Sequence, residues 1–246
     1  MNYGSIYKYD YFKRCDGIRS WNSKKLKFGD ALSAVCYAHG ISWDQMKERF
    51  PLMGTLGKNE NTPYTVQEQI EFVEQNKKRT PNKILEIGGG RGEVTCFLAK
   101  MGYDVHCIEP GDGAEKWLEE TSQHIFGESL EYTLYNGCVS KFADEEGLNG
   151  IDTVLMVESL EHILPKHFEP IYERCLKELK KTKGRMVIVN WPDYHPIWVG
   201  RYAPKDQHCR LVDDALYNQM TKDFGEALYR NGSHICLQIK KPQEKT

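Results

Sequence analysis

Lys83-Ile84-Leu85-Glu86-Ile87-Gly88-Gly89-Gly90-Arg91-Gly92-Glu93-Val94 is the stretch on which the reading of this chain turns. The apolar run Ile84, Leu85 and Ile87 predicts a buried strand, the glycines predict a turn without side chains, and Glu93 to Lys100 predicts a helix. With no Cβ in the way at a helix start, the backbone N–H groups let a nucleotide-like ligand come close to the main chain. Gly88 is expected to be where that ligand meets the backbone, and Arg91 to point to solvent. Spacing removes two ligand classes. A dinucleotide site wants G-x-G-x-x-G, yet counting from Gly88 the last position is Glu93, and counting from Gly90 it is Thr95. A phosphate loop wants G-x-x-x-x-G-K followed by Ser or Thr, and no such lysine is present there. What fits is an acid followed by glycines at alternate positions: Glu86, Gly88, Gly90 and Gly92.

The chain has 246 residues, enough for one α/β domain with an appendage and a core that needs no staples. Its net charge is −2 and its pI about 6.5, a balance that makes no demand for a nucleic-acid partner. The first residues, MNYGSIYKYDYFKR, are polar and aromatic with no apolar leader segment, and nowhere do about 18 apolar residues run together. A cytoplasmic protein without membrane association is expected. Eight cysteines are scattered without a C-x-x-C pair, which reads as reduced, buried thiols.

Arg79-Thr80-Pro81-Asn82 divides the chain into a helical N-terminal extension, 1–80, and a second part, 81–246. Upstream, Asp30 to His39 is a predicted helix closed by Gly40. Ser42-Trp43-Asp44-Gln45 is a capping box opening a helix to Phe50, and Thr65-Val66-Gln67-Glu68 opens another to about Lys78. These helices are a candidate lid. The pair around Gly40 also has the spacing of a helix-turn-helix, but Asp44 and Glu48 stand on faces that would meet phosphates. Downstream, strands alternate with helices. Strands are predicted at Tyr103 to Ile108, Leu130 to Tyr135, Ile151 to Val157 and Arg185 to Asn190, with helices at Asp112 to His124, Pro165 to Lys181 and Leu211 to Phe224. Ala227 to Tyr229 and Ser233 to Lys240 flank Asn231-Gly232, a hairpin signal. The expected fold is therefore α/β, a doubly wound, mostly parallel seven-stranded sheet ending in an antiparallel hairpin.

On the Glu86, Gly88, Gly90, Gly92 pattern and this order of elements, Lys83 to Lys240 resembles the class I S-adenosylmethionine-dependent methyltransferases. The resemblance implies S-adenosylmethionine as cofactor, with Glu86 suited to its ammonium group. Glu109, ending the second strand about 20 residues after the turn, is then placed for the ribose hydroxyls. Where the family shows Gly-Asp after the third strand, this chain has Gly137-Cys138-Val139, so Cys138 and the Val139 amide take the adenine position. Val157, closing the fourth strand, completes the cofactor set. Next comes Glu158-Ser159-Leu160-Glu161-His162, whose Leu-Glu-His is common in the family. The fuller E-x-x-E-H is similar to the metal-binding motif of the ubiquinone-pathway O-methyltransferases, and to part of that in the small-RNA terminal 2′-O-methyltransferases.

If that segment is a helical turn, Glu158, Glu161 and His162 face one point. They would hold either a divalent cation such as Mg²⁺, with His195 or His208 as a further ligand, or a proton path with His162 as base. The aromatic crossing Asn190 to Tyr202, which contains His195, lies over the same edge as an acceptor pocket or lid face. The function read from this is methyl transfer to an oxygen, and in second place a nitrogen, of a small-molecule acceptor. RNA 2′-O-methylation is the alternative, without a basic stripe to favour it. A non-catalytic cofactor-binding regulator is another.

Overall fold

A computed structural model describes residues 29–52, 64–139, 141–142, 148–163, 165–190, 212, 214–231 and 234–240. Helices α1 (Gly29–Ala38), α2 (Trp43–Arg49) and α3 (Val66–Asn76) precede strand β1 (Lys83–Ile87). Then follow α4 (Glu93–Lys100), β2 (Asp104–Ile108), α5 (Ala114–Thr121), β3 (Thr133–Tyr135), β4 (Thr153–Val157), α6 (Pro165–Thr182) and β5 (Arg185–Val189). Helix α7 (Asp214–Phe224), β6 (Gly225–Asn231) and β7 (His234–Ile239) end the described chain. The strands form one sheet in the order β3-β2-β1-β4-β5-β7-β6. β1 to β5 are mutually parallel, and β7 runs antiparallel to both β5 and β6. The expected doubly wound sheet with its C-terminal hairpin is thus present.

Strands covered on both faces read as nearly continuous apolar runs, and β1, β4 and β5 do. Alternate residues serve opposite layers. Ile84, Leu155, Val187 and Val189 join the core beneath α1 and α4, while Leu85, Ile87, Met156, Met186 and Ile188 join the one beneath α6 and α7. β3 is shorter than the sequence predicts, because it is an edge strand whose only register is His106 to Ile108 against Thr133 to Tyr135. Nor does α5 run on as a regular helix from Asp112. It starts after Gly113 and passes into a wider turn, Ser122–Phe126. Among the described residues no helix is long and apolar enough to cross a membrane, and Cys36, Cys96, Cys107, Cys138, Cys175 and Cys236 are free thiols.

The helices before β1 form as their caps predict. Ser42 with Gln45 and Thr65 with Glu68 both close reciprocal capping boxes. Gly40 (φ 79°) ends α1 with Gly40 N–H donating to Tyr37 O and Ile41 N–H to Cys36 O, the paired bonds of a Schellman turn. Their packing differs from that of a detached lid. Leu32, Val35, Ile41, Met46 and Phe50 are almost fully buried in the same core as Ile84, Leu155 and Val187. Arg79 donates to Ala38 O (3.2 Å) and Thr153 Oγ1 (2.8 Å), and Arg185 donates to Tyr37 O (3.0 Å), tying the end of α1 to β4 and β5. His39, buried and bonded through Nδ1 to Val35 O (2.7 Å), has its pKa lowered by burial to about 4.

Cutting the chain at residue 80 therefore removes much of one layer of the core. At roughly 1.5 to 3 kcal/mol for each fully buried large apolar side chain, Leu32, Val35, Ile41 and Met46 together match the net stability of a typical domain, about 5 to 15 kcal/mol. A protein starting at Pro81 should show no cooperative thermal transition and should bind a hydrophobic dye. A sharp transition from that fragment would mean α1 is dispensable to the core.

Candidate active site

The open α/β sheet reverses its winding between β1 and β4, and the crevice beyond the carboxyl ends of those strands is where such sheets bind ligands. Gly88 and Gly89 both donate to Ile108 O (2.8 and 3.2 Å), so the glycine turn hangs from the end of β2. Gly88 (φ 80°) and Gly90 (φ 57°) both lie in the left-handed region, but for different reasons. A Cβ on Gly88 would collide with Ser159, which donates from Oγ to Ile87 O (2.6 Å) and locks β4's exit to β1. A Cβ on Gly90 would meet no described atom within 4 Å. Gly90, not Gly88, is thus the glycine facing open space, and Gly88 is a packing glycine. Gly89, which the spacing pattern passes over, is equally tight, because a Cβ there would strike Cys107 Sγ.

Two acids lie under this turn. Glu86 is 2% exposed, accepts a hydrogen bond from Thr95 Oγ1 of α4, and has its pKa pushed up by burial to about 7. Glu109 is buried as well, and burial raises its pKa against the pull of two backbone donors. Its Oε2 accepts from Gly90 N (2.8 Å) and its Oε1 from Gly111 N (2.8 Å). Both carboxylate oxygens expected at the ribose therefore already hold main-chain amides, each with a lone pair to spare. Asn136 of the β3 loop braces the same corner, donating from Nδ2 to Gly111 O (2.8 Å). The Trp117 ring lies against Gly111, leaving no room for a Cβ there. Arg91, expected in solvent, is buried at 6% exposure. Cys138 is half-buried and its carbonyl accepts from Lys141 N (3.0 Å), while Val139 packs into the core under α6 and α7.

A sulfonium ligand with an amino acid tail asks for an approachable main chain and for anionic partners. Gly90 offers the first. Glu86 and Glu109, both raised by burial, with Glu109 adding to the charge cost at Glu86, offer the second. The residues fit such a group.

The acid and histidine cluster departs from its expected geometry. Val157, half-buried, closes β4. Glu158 then enters the left-handed region (φ 50°) and donates its N–H to Val189 O (2.8 Å). The single helical turn begins only at Leu160 and ends at His162, so Glu158 falls outside it and does not share its face. Glu161 is buried, and its Oε1 lies 3.8 Å from Nε2 of half-buried His162. Among the described residues no group of three His, Cys, Asp or Glu side chains could hold a metal ion. Glu158, Glu161 and His162 thus do not form the expected cation set. His195 and His208 lie outside the described residues.

Residues 59–228 match a family model described as a methyltransferase domain. No curated protein sequence matches the chain. Among solved structures it is similar to the plantazolicin methyltransferase BpumL in complex with SAH, at 16% identity over 90% of this chain and 73% of that one (TM-score 0.53). It is similar too to magnesium protoporphyrin IX methyltransferase (ChlM) from Synechocystis PCC 6803 with bound SAH, at 12% identity over 96% of each chain (TM-score 0.53). TehB from Haemophilus influenzae shares 18% identity over 68% of this chain, which spans 58% of TehB (TM-score 0.46). The match to the family model covers more than half of the sequence, and the chain belongs to the methyltransferase domain family, as a class I S-adenosylmethionine-dependent methyltransferase.

Proposed function

We propose that the chain transfers a methyl group from S-adenosylmethionine to an oxygen, and in second place a nitrogen, of a small-molecule acceptor, with the Glu161–His162 pair taking up the acceptor's proton. The observation that carries this reading is the open main chain at Gly90, held on the buried Glu109 beside the buried Glu86. Two of the similar proteins are named for small or modest-sized acceptors, a porphyrin and plantazolicin, which supports an acceptor of that class here.

When bound, the cofactor supplies a methyl carbon already activated by its sulfonium. What remains for the protein is alignment and the removal of one proton. Gly90 admits the cofactor to the backbone, and Glu86 and Glu109 meet its charge and its hydroxyls. His162, at the carboxyl edge of the sheet and 3.8 Å from a buried carboxylate oxygen of Glu161, is the base in this reading. No step is assigned to a divalent cation, since no three His, Cys, Asp or Glu side chains gather to hold one among the described residues.

The direct test is transfer of labelled methyl groups from S-adenosylmethionine to a panel of small phenols, carboxylic acids and amines. A hydroxyl acceptor is expected, and His162→Ala should lose about 100- to 10,000-fold in rate while still binding S-adenosylhomocysteine. Rates abolished by a chelator and restored by Mg²⁺ would sink the metal-free assignment. Binding without transfer to any acceptor would favour a regulator.

The glycines separate packing from ligand contact. Gly90→Val should abolish S-adenosylhomocysteine binding by calorimetry and leave a folded protein less stable by about 1 to 3 kcal/mol, the scale of left-handed strain. Gly88→Val should instead lower the thermal midpoint sharply by breaking the packing of Ser159. Normal binding by Gly90→Val would remove the cofactor from this turn.

Glu86 gives the site a pH dependence. Its pKa in the free protein is raised to about 7, and a ligand cation favours the carboxylate. Affinity for S-adenosylhomocysteine should therefore climb as pH rises from 5.5 to about 7.5 and level off above that. Well below pH 7 it should fall by up to tenfold per unit. Glu86→Gln should bind more weakly with a flatter profile over the same window. A wild-type profile that falls with rising pH would contradict the pairing.

A further inference from the structure

At the same edge of the sheet stands a buried polar side chain that the reaction above does not use. Asn190 follows the last residue of β5, is 2% exposed, and neither its Oδ1 nor its Nδ2 meets a hydrogen-bond partner among the described residues. Buried amides are nearly always paired, so an orphaned one calls for a reason. Its surroundings supply one. Val189, the preceding residue, accepts the N–H of Glu158, and Glu158 is held in a strained left-handed conformation of the kind that collects at functional sites. Ser159 in turn bonds to Ile87 O, one residue before Gly88. β1, β4 and β5 are neighbours, so Gly88, Glu158 and Asn190 stand side by side where three strands end.

We propose that Asn190 binds the methyl acceptor, its carboxamide taking a group that both donates and accepts a hydrogen bond. A carboxylate would satisfy only Nδ2 and an ammonium only Oδ1, whereas a hydroxyl or an amide satisfies both. The chemistry thus selects a neutral, hydroxyl- or amide-bearing acceptor and holds it beside the glycine turn. This assignment rests on the function proposed above. An amide there for packing alone would be replaceable by an apolar side chain of equal size without effect on turnover.

The test is Asn190→Leu, close in volume and without polar atoms, read in three ways. Removing an unmet buried amide should raise the thermal midpoint of the ligand-free protein by about 2 to 10 °C. Affinity for S-adenosylhomocysteine should be unchanged. With the panel acceptor that turns over fastest, KM should rise about 10- to 100-fold, the scale of a lost buried hydrogen bond, with kcat largely kept. A lowered or unchanged midpoint would show the amide to be satisfied already, by solvent or by the chain, and would overturn the proposal. So would a tenfold loss of S-adenosylhomocysteine affinity, which would give the amide to the methyl donor, or an unchanged KM. If wild type transfers to no panel member, the functional reading fails. The midpoint still judges Asn190 in that case, because a rise keeps a ligand site at this position and its absence overturns it.

Discussion

One buried carboxylate holds the ligand end of this fold in shape. Glycines have no side chains with which to fix a turn, so the loop after β1 must be held from outside. Glu109 does this by taking one amide from Gly90 and one from Gly111, bridging the loops that leave β1 and β2. Asn136 adds a third loop by bonding the carbonyl of Gly111. The crevice is therefore shaped before anything enters it, which reduces the ordering that binding must impose.

That arrangement is costly in the empty protein. Glu86 and Glu109 are both buried, Glu109 helps to raise the pKa of Glu86, and the partners described for them are a threonine hydroxyl and backbone amides. Burying carboxylates without a cation is unfavourable, and here the deficit sits at the crevice. A positively charged ligand, as in the function proposed for this site, would relieve it. Stability and affinity are thus linked through the same two side chains, and ligand binding should tighten the whole fold rather than only the loop.

The features legible in the sequence are those set by neighbours along the chain. Strand, glycine turn and helix at Lys83 to Lys100, the two capping boxes, and the hairpin around Asn231 depend on local periodicity and cap chemistry. Less legible were features set by a partner from elsewhere. Gly88 and Gly90 look alike in the pattern, and only Ser159, arriving from the end of β4, makes one a packing site and leaves the other open. Glu158 and His162 have helical spacing, but the backbone turns left-handed at Glu158 because its N–H is drawn to Val189 on β5. The helices before β1 carry an ordinary amphipathic pattern, which cannot say whether they cover a sheet or swing over a pocket. Asn136 and Asn190 left no signal beyond being polar residues at strand ends.

The position of α1 bears on how the molecule reaches its folded state. Tyr37 on α1 stacks on Tyr229 of β6 with ring centroids 4.9 Å apart, and its hydroxyl pairs with His234 Nδ1 at 3.3 Å across a sequence separation of 197. Helix α1, packed mainly on β4, β5 and α4, thus completes its contacts only when the last two described strands are in place. Its packing against β4 and β5 needs neither of those strands, whereas the contacts to Tyr229 and His234 lie far apart in sequence and close slowly. The final seating of α1 is therefore a late event, waiting on β6 and β7 after its packing on β4 and β5 has formed.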